Sequence, residues 1–208
     1  MDFTFEHITI DQSTIYLLHY GNFDPADYLN KLTNQELERY HTFNHPKRKR
    51  EFVATRILRH QLFGFEHIHY DEHGAPYIES EGFISVSHCK NTVGIALNKE
   101  FQVGLDLEIP RPQIGLLAHK FLSEHEKDIL NVTDPNELTR IWSAKEALYK
   151  LAGRKKIIFA KELLLESKNE IIYEGRIINP EHERLVKLHI FEHKGMVITI
   201  NSKEIEIV

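Results

Sequence analysis

Three carboxylates and a group of cations carry the chemistry this sequence offers. In "VGLDLE" (103–108), strand alternation puts Val103, Leu105 and Leu107 on one face and Gly104, Asp106 and Glu108 on the other. Two like charges on one strand face repel, and if partly removed from water they need a cation beside them. In "IWSAKEALYK" (141–150) the spacing is helical. Trp142, Glu146 and Lys150 share one side, while Lys145 points elsewhere. Taken singly, each stretch has an ordinary reading, a solvated sheet face or an amphipathic helix. Taken together, Asp106, Glu108 and Glu146 form an all-oxygen donor set that suits a hard cation, Mg²⁺ or Mn²⁺, of the kind that binds substrate phosphates. Lys150, one turn beyond Glu146, is then placed to offset charge on a leaving phosphate.

A phosphate needs further partners. "SVSHCK" (85–90) reads as a strand whose end offers Ser87 and His88, both good hydrogen-bond partners for phosphate. A serine-hydrolase triad is not expected, because adjacent strand residues point apart and no G-x-S-x-G elbow is present. "PKRKREFVATRILR" gathers Lys47, Arg48, Lys49, Arg50, Arg56 and Arg59 in a chain of net charge −5. The run 47–50 also has the plain reading of a solvated face. Arg56 and Arg59 fall deeper in a helix expected to be buried. They need an anionic partner, either a carboxylate of this chain or a ligand phosphate.

The elements that must position these residues are legible in outline. The 208 residues are 41% hydrophobic and 27% charged, which describes a folded globular chain and not a disordered one. The acidic balance argues against a nucleic-acid binder. The lone Cys89 excludes a disulfide framework and suits a reducing cytoplasm. No apolar run approaches the ~18 residues of a membrane span. "MDFTFEHITI" alternates like a strand and has no basic region, so a signal peptide is not expected. His67, His69 and His73 have no second ligand group at a closing distance, so zinc is not expected either. Strands are expected at 3–10 and 14–20, then a polar stretch, then a largely buried helix from Pro46 to Phe63 before Gly64. Strands at 83–88, 92–98 and 101–109 follow, the last two as a hairpin. Helices at 114–119, 123–130 and 136–152 precede strands at 162–166, 170–174, 185–192, 196–201 and 204–207. The whole is an α+β fold of two similar lobes, 1–109 and 110–208. Each has helices packed on antiparallel strands, and the likeness is one of pattern and not of residues. A ligand is expected in the cleft between them.

These stretches together resemble the 4′-phosphopantetheinyl transferases, specifically the pseudo-two-fold single-chain class that activates synthetase, polyketide and fatty-acid carrier proteins. The family's G-x-D-x-E motif is met by Gly104, Asp106 and Glu108. Its W-x-x-K-E-A-x-x-K motif is met by Trp142, Lys145, Glu146, Ala147 and Lys150, its Ser-His pair by Ser87 and His88. "FLSEHE" and the arginine-rich helix are also similar, and the likeness covers about residues 35–165. The resemblance implies coenzyme A as substrate and Mg²⁺ on Asp106, Glu108 and Glu146. It implies attack by the serine of an apo acyl or peptidyl carrier protein, with adenosine 3′,5′-bisphosphate leaving. Glu146 would act as general base, Lys150 and His88 would stabilise the pyrophosphate, and Lys47 and Arg50 would take the 3′-phosphate. A cytoplasmic monomer is implied, with no nucleic-acid or membrane partner. Two departures stand out: Ala75 in "HGAPY" replaces a lysine common in the family, and Cys89 replaces a frequent serine. Ala75 keeps open a second reading, a coenzyme A- or carrier-binding relative with little turnover. A metal-dependent phosphohydrolase using the same carboxylates is a third.

Overall fold

Two antiparallel sheets lie face to face, and each is backed on its outer side by one 18-residue helix. The computed structural model describes residues 3–153, 156–167, 169, 171–179, 182–202 and 206–207. The first half runs β1 (Phe3–Ile10), β2 (Ser13–Tyr20), a 3₁₀ segment (Pro25–Lys31), α1 (Asn34–Thr42), α2 (Pro46–Phe63), β3 (His69–Tyr70), β4 (Pro76–Ile78), β5 (Gly82–Cys89) and β6 (Thr92–Asn98). The second runs β7 (Leu105–Glu108), a 3₁₀ segment (Pro112–Leu117), α3 (Ala118–Phe121), α4 (Glu124–Ile129), α5 (Pro135–Ala152), α6 (Phe159–Glu162), β8 (Leu163–Ser167), β9 (Ile172–Ile178), β10 (Glu183–His193), β11 (Met196–Asn201) and β12 (Glu206–Ile207). The expected α+β fold of two lobes is the fold observed.

The long helices start and stop for the same local reasons. Each opens with proline, whose missing N–H is no loss in a first turn. Each N-cap side chain, His45 or Asp134, accepts a backbone N–H of that turn. Each closes on a glycine with positive φ, Gly64 at 62° and Gly153 at 64°.

Alternation along the strands then sorts the core into layers. Leu18, Tyr20, Val93 and Ile95 face α2. Ile15, Leu17 and Ala96, on the reverse of the same strands, meet Leu105, Leu107, Ile198 and Ile200 of the second sheet. Val197 and Val186 face α5. Residues Glu51 to Arg59 of α2 are all buried, as expected, because the first 3₁₀ segment and α1 cover its outer side.

The expected hairpin of 92–98 with 101–109 does not form. β6 lies between β2 and β5, whereas β7 pairs with β11 of the second sheet. The chain leaves β6 through Asn98, whose Oδ1 accepts the Glu100 and Phe101 amides at 2.8 and 3.0 Å. Phe101 and Val103 are buried along the crossing. The strand that was expected to close the lobe 1–109 therefore opens the second sheet.

Three smaller differences follow from local chemistry. The polar stretch near residue 35 is a helix, α1, closed by a reciprocal capping box between Thr33 and Glu36. The expected helix 114–119 is a 3₁₀ segment that runs into the single turn of α3. Of the expected strand 204–207, residues 204 and 205 lie outside the described residues. Among the described residues, no helix is long and apolar enough to cross a membrane.

Candidate active site at the sheet seam

β7 is the edge strand of the second sheet, and it presents its two faces to different neighbours. Leu105 and Leu107 enter the apolar layer between the sheets, while Asp106, paired in register with Thr199, turns toward α5. α5 answers with Trp142, Glu146 and Lys150. The Trp142 indole N–H donates to Glu108 Oε1 at 2.9 Å. Lys150 Nζ donates to Asp106 Oδ1 at 3.1 Å and to the Leu105 carbonyl at 2.5 Å. The helix can come this close because Gly104 has no side chain. A Cβ there would lie 2.6 Å from the Ala147 carbonyl and 2.7 Å from Leu151 Cγ. The glycine makes room for the helix, not for a ligand.

The three carboxylates feel one another. Burial, then the charge of Asp106, pushes the Glu146 carboxyl up to about 7, with Lys150 offsetting part of the shift and Glu108 adding to it. Burial and Asp106 also raise Glu108, against the Trp142 hydrogen bond and the charges of Arg111 and Lys150. Asp106 is buried, and its Oδ2 accepts no hydrogen bond from any described residue. Two carboxyls held above their ordinary range and one orphaned, buried carboxylate oxygen fit a bound cation. So does an all-oxygen donor set. As the side chains stand, with Lys150 on Asp106, no three His, Cys, Asp or Glu residues among those described are gathered tightly enough to hold an ion.

Two cavities flank this seam and share Glu51 and His88. One, of about 410 Å³, is lined by Arg48, Thr55, Ala75, Ser85, Tyr149 and Lys150 among others. The other, of about 570 Å³, is lined by Lys47, Arg50, Lys90, Glu108 and Arg111 among others. Between them His88 Nε2 lies 3.3 Å from Arg48 Nη1 and 3.7 Å from the Glu51 carboxylate. Lys47 lies 3.6 Å from the same carboxylate, and Arg50 donates to Asn22 Oδ1 at 2.6 Å. The structure thus brings Lys47, Arg50, His88, Glu108 and Lys150 to the walls of two adjoining cavities.

Ser87 is placed differently from the other sequence candidates. It is buried, accepts the Leu107 amide at 3.1 Å and donates to Asp106 Oδ1 at 3.1 Å, so its hydroxyl is engaged within the seam. Arg56 and Arg59 find their partner inside the chain: Glu36 accepts from Arg56 Nε at 3.1 Å and from Arg59 Nη2 at 2.5 Å. Cys89 packs against Met196, 3.4 Å from its sulfur, and burial pushes its thiol up to about 12. The His67 and His69 rings meet edge to face.

Lys145 is the residue whose role the helical spacing left open. It is fully buried, and its ammonium donates to Glu126 at 2.7 Å and to the Phe121 carbonyl at 2.5 Å. Glu126 also closes the capping box of α4 with Ser123. The "FLSEHE" stretch and the lysine of the helix are therefore one structural unit, which a serine-x-x-glutamate signature before a buried lysine could have signalled.

Comparison with known proteins points the same way. A family model for the 4′-phosphopantetheinyl transferase superfamily matches residues 102–200. The 4′-phosphopantetheinyl transferase HetI of Nostoc sp. is 32% identical over 141 residues, 59% of this chain and 60% of its own length. The 4′-phosphopantetheinyl transferase AcpT of Escherichia coli K12 is 30% identical over 116 residues, 52% of this chain and 60% of its own. A putative 4′-phosphopantetheinyl transferase of Synechocystis sp. is 26% identical over 141 residues, 59% of this chain and 57% of its own. The chain thus spans about three-fifths of these relatives.

Proposed function

From the match of residues 102–200 to the 4′-phosphopantetheinyl transferase superfamily, we propose that the chain moves the 4′-phosphopantetheine of coenzyme A onto a carrier-protein serine. In this reading the serine oxygen attacks the β-phosphate. A new P–O bond forms, the bond to adenosine 3′,5′-bisphosphate breaks, and the proton goes to Glu146 directly or through a water. The observation that carries the reading is Glu146 itself, a carboxyl pushed up to about 7 beside two other carboxylates. Before a cation binds, a carboxyl with that value is half ionised near neutral pH, where proton acceptance is most useful.

Asp106, Glu108 and Glu146 would hold Mg²⁺, which when bound neutralises pyrophosphate charge. Lys150 already carries its ammonium to Asp106 and can turn to the leaving phosphate. His88 sits where both cavities meet and would donate to the pyrophosphate. Lys47 and Arg50 line the larger cavity and would take the 3′-phosphate. Ser87 would act behind Asp106 and not on the substrate. The lone, unpaired Cys89 suits a cytoplasmic setting. A single chain acting alone as a monomer suits a site made of its own two halves. The test is the intact mass of a purified apo carrier protein after incubation with the chain, coenzyme A and Mg²⁺. A gain of about 340 Da, the transferred group, that disappears with EDTA is the expected result. No gain with any of several acyl and peptidyl carriers, while coenzyme A still binds, would replace transfer by simple binding.

A further inference from the structure

An edge strand is the least protected place to build a site, because half of its backbone groups point away from its own sheet. β7 is such an edge, and it is buried: Leu105 and Leu107 are at most 1% exposed. Its amides at 105 and 107 face away from β11 and toward the first sheet. A buried N–H without a partner costs on the order of 1–3 kcal/mol. Among the described residues no strand of the first sheet pairs with β7, whose ladder partner is β11. The first sheet supplies two hydroxyls instead. Ser85 Oγ accepts the Leu105 amide at 2.9 Å, and Ser87 Oγ accepts the Leu107 amide at 3.1 Å. Both serines are buried. They are two residues apart on β5, and so are the amides they meet on β7. The period of one strand is read by the period of the other.

Ser87 does one thing that Ser85 does not. Its hydroxyl hydrogen goes to Asp106 Oδ1, the same oxygen that Lys150 takes, and Oδ2 is left with no described partner. From this geometry we infer that Ser87 is a positioning residue: it docks β7 on the first sheet and fixes the Asp106 carboxylate so that Oδ2 is the oxygen presented to a divalent cation. The inference rests on the cation reading proposed above. Ser85 shares the docking and not the orientation, which makes it the internal control.

The test is Mn²⁺ binding by the full chain, followed by calorimetry or by the loss of the free-ion EPR signal, with no turnover required. Ser87→Ala should weaken Mn²⁺ binding about 10–100-fold, the usual effect of removing a hydrogen bond that orients a metal ligand. Ser85→Ala should lower the melting temperature by a similar amount and change Mn²⁺ affinity far less, and Ser87→Thr should restore most of the affinity. Equal Mn²⁺ affinity in Ser87→Ala and the unaltered chain would reduce Ser87 to a structural residue and overturn the inference alone. Absence of Mn²⁺ binding by the unaltered chain would instead overturn the cation reading, and this inference with it. Amide exchange in the unaltered chain covers the case in which Ser87→Ala does not fold. Slow exchange at Leu105 and Leu107 supports the docking, and rapid exchange at both refutes it.

Discussion

The two halves of the molecule use one plan, and they differ at the edge where the proposed site lies. The strand order β2-β6-β5-β4-β3 of the first sheet repeats as β7-β11-β10-β9-β8 in the second. Before each long helix stands a capping box whose glutamate is buried: Thr33 with Glu36, Ser123 with Glu126. Each glutamate then takes a buried cation from the long helix, Arg56 and Arg59 in one half and Lys145 in the other. Counted from the opening prolines, Arg56 occupies the place of Lys145, Ile57 that of Glu146 and Gln61 that of Lys150. The frame is shared and the residues of the proposed site are not. The sheet edge differs in the same sense. β1 covers β2 along its whole length, whereas β7, the counterpart of β2, has no covering strand among the described residues, and its outward backbone groups at Leu105 and Leu107 meet two serine hydroxyls and the Lys150 ammonium. An edge closed by side chains leaves space beside it, and the two cavities open there.

If that difference between halves is what makes the site, the largest effect should come from the one buried carboxylate the first half lacks. Asp106→Asn keeps the shape and removes the charge. Carrier modification at saturating Mg²⁺ should fall at least about 100-fold, the scale on which removal of one charge-stabilising group acts. The melting temperature should hold or rise, because a buried like charge has gone. Activity within a few-fold of the unaltered chain, read by carrier mass against time, would break the comparison at its centre.

The shared frame makes a prediction of its own, in stability. Glu126→Gln leaves the Lys145 ammonium buried with no countercharge, which costs about 3–5 kcal/mol when one partner of a buried pair is removed. Glu36→Gln strands two guanidiniums and should cost at least as much. Urea melts of both variants check this. Pairing Glu126→Gln with Lys145→Met should return much of the loss, since the buried cation has gone and the glutamine oxygen can still accept a backbone amide where Glu126 took those of Ser123 and Leu165. If Glu36→Gln were harmless while Glu126→Gln unfolds the chain, the two capping units would not be equivalent.

Much of this frame was open to sequence reading, and what was hidden has physical causes. The helices at 46–63 and 136–152 announced themselves through proline, periodicity and glycine. The face of β7 carrying Asp106 and Glu108 followed from alternation. The pairing of β7 did not, because register and partner are settled by burial of Leu105 and Leu107 between the sheets, a long-range fact. α1 was passed over although Thr33-x-x-Glu36 is a helix-start signature, because its residues are polar and its stability comes from Arg56 and Arg59 behind it. The same arginines could have met a phosphate or a carboxylate, and no local pattern decides between the two. The strand carrying Ser85 and Ser87 was legible, and alternation sets both on one face. That this face meets the edge of β7 depends on the stacking of the sheets.

The smallest effect is the most selective for the seam, and it is a pH effect. Burial and Asp106 raise Glu146 from 4.5 to about 7 in the folded chain. Between those values the folded state holds a proton that the unfolded state has lost, so stability falls as pH rises through that window. At the usual 1.36 kcal/mol per pH unit, the whole effect is at most on the order of 3 kcal/mol. Glu6 does not confuse the measurement: although burial acts to raise it, Lys194, His19 and His193 hold it down to about 2, and its window lies below 4.5. In EDTA the melting temperature should therefore drop between pH 5 and pH 7.5. Mg²⁺ should recover the loss at the upper end, by neutralising the group that ionises there. Glu146→Gln, which cannot ionise, should flatten the drop and remove its share of the Mg²⁺ response. A drop of equal size in Glu146→Gln would assign the destabilisation to other groups. Glu146 would then be as indifferent to pH as Ile57, the residue in its place in the first half, and Glu108, which burial and Asp106 also raise, would be the seam group left to account for the drop.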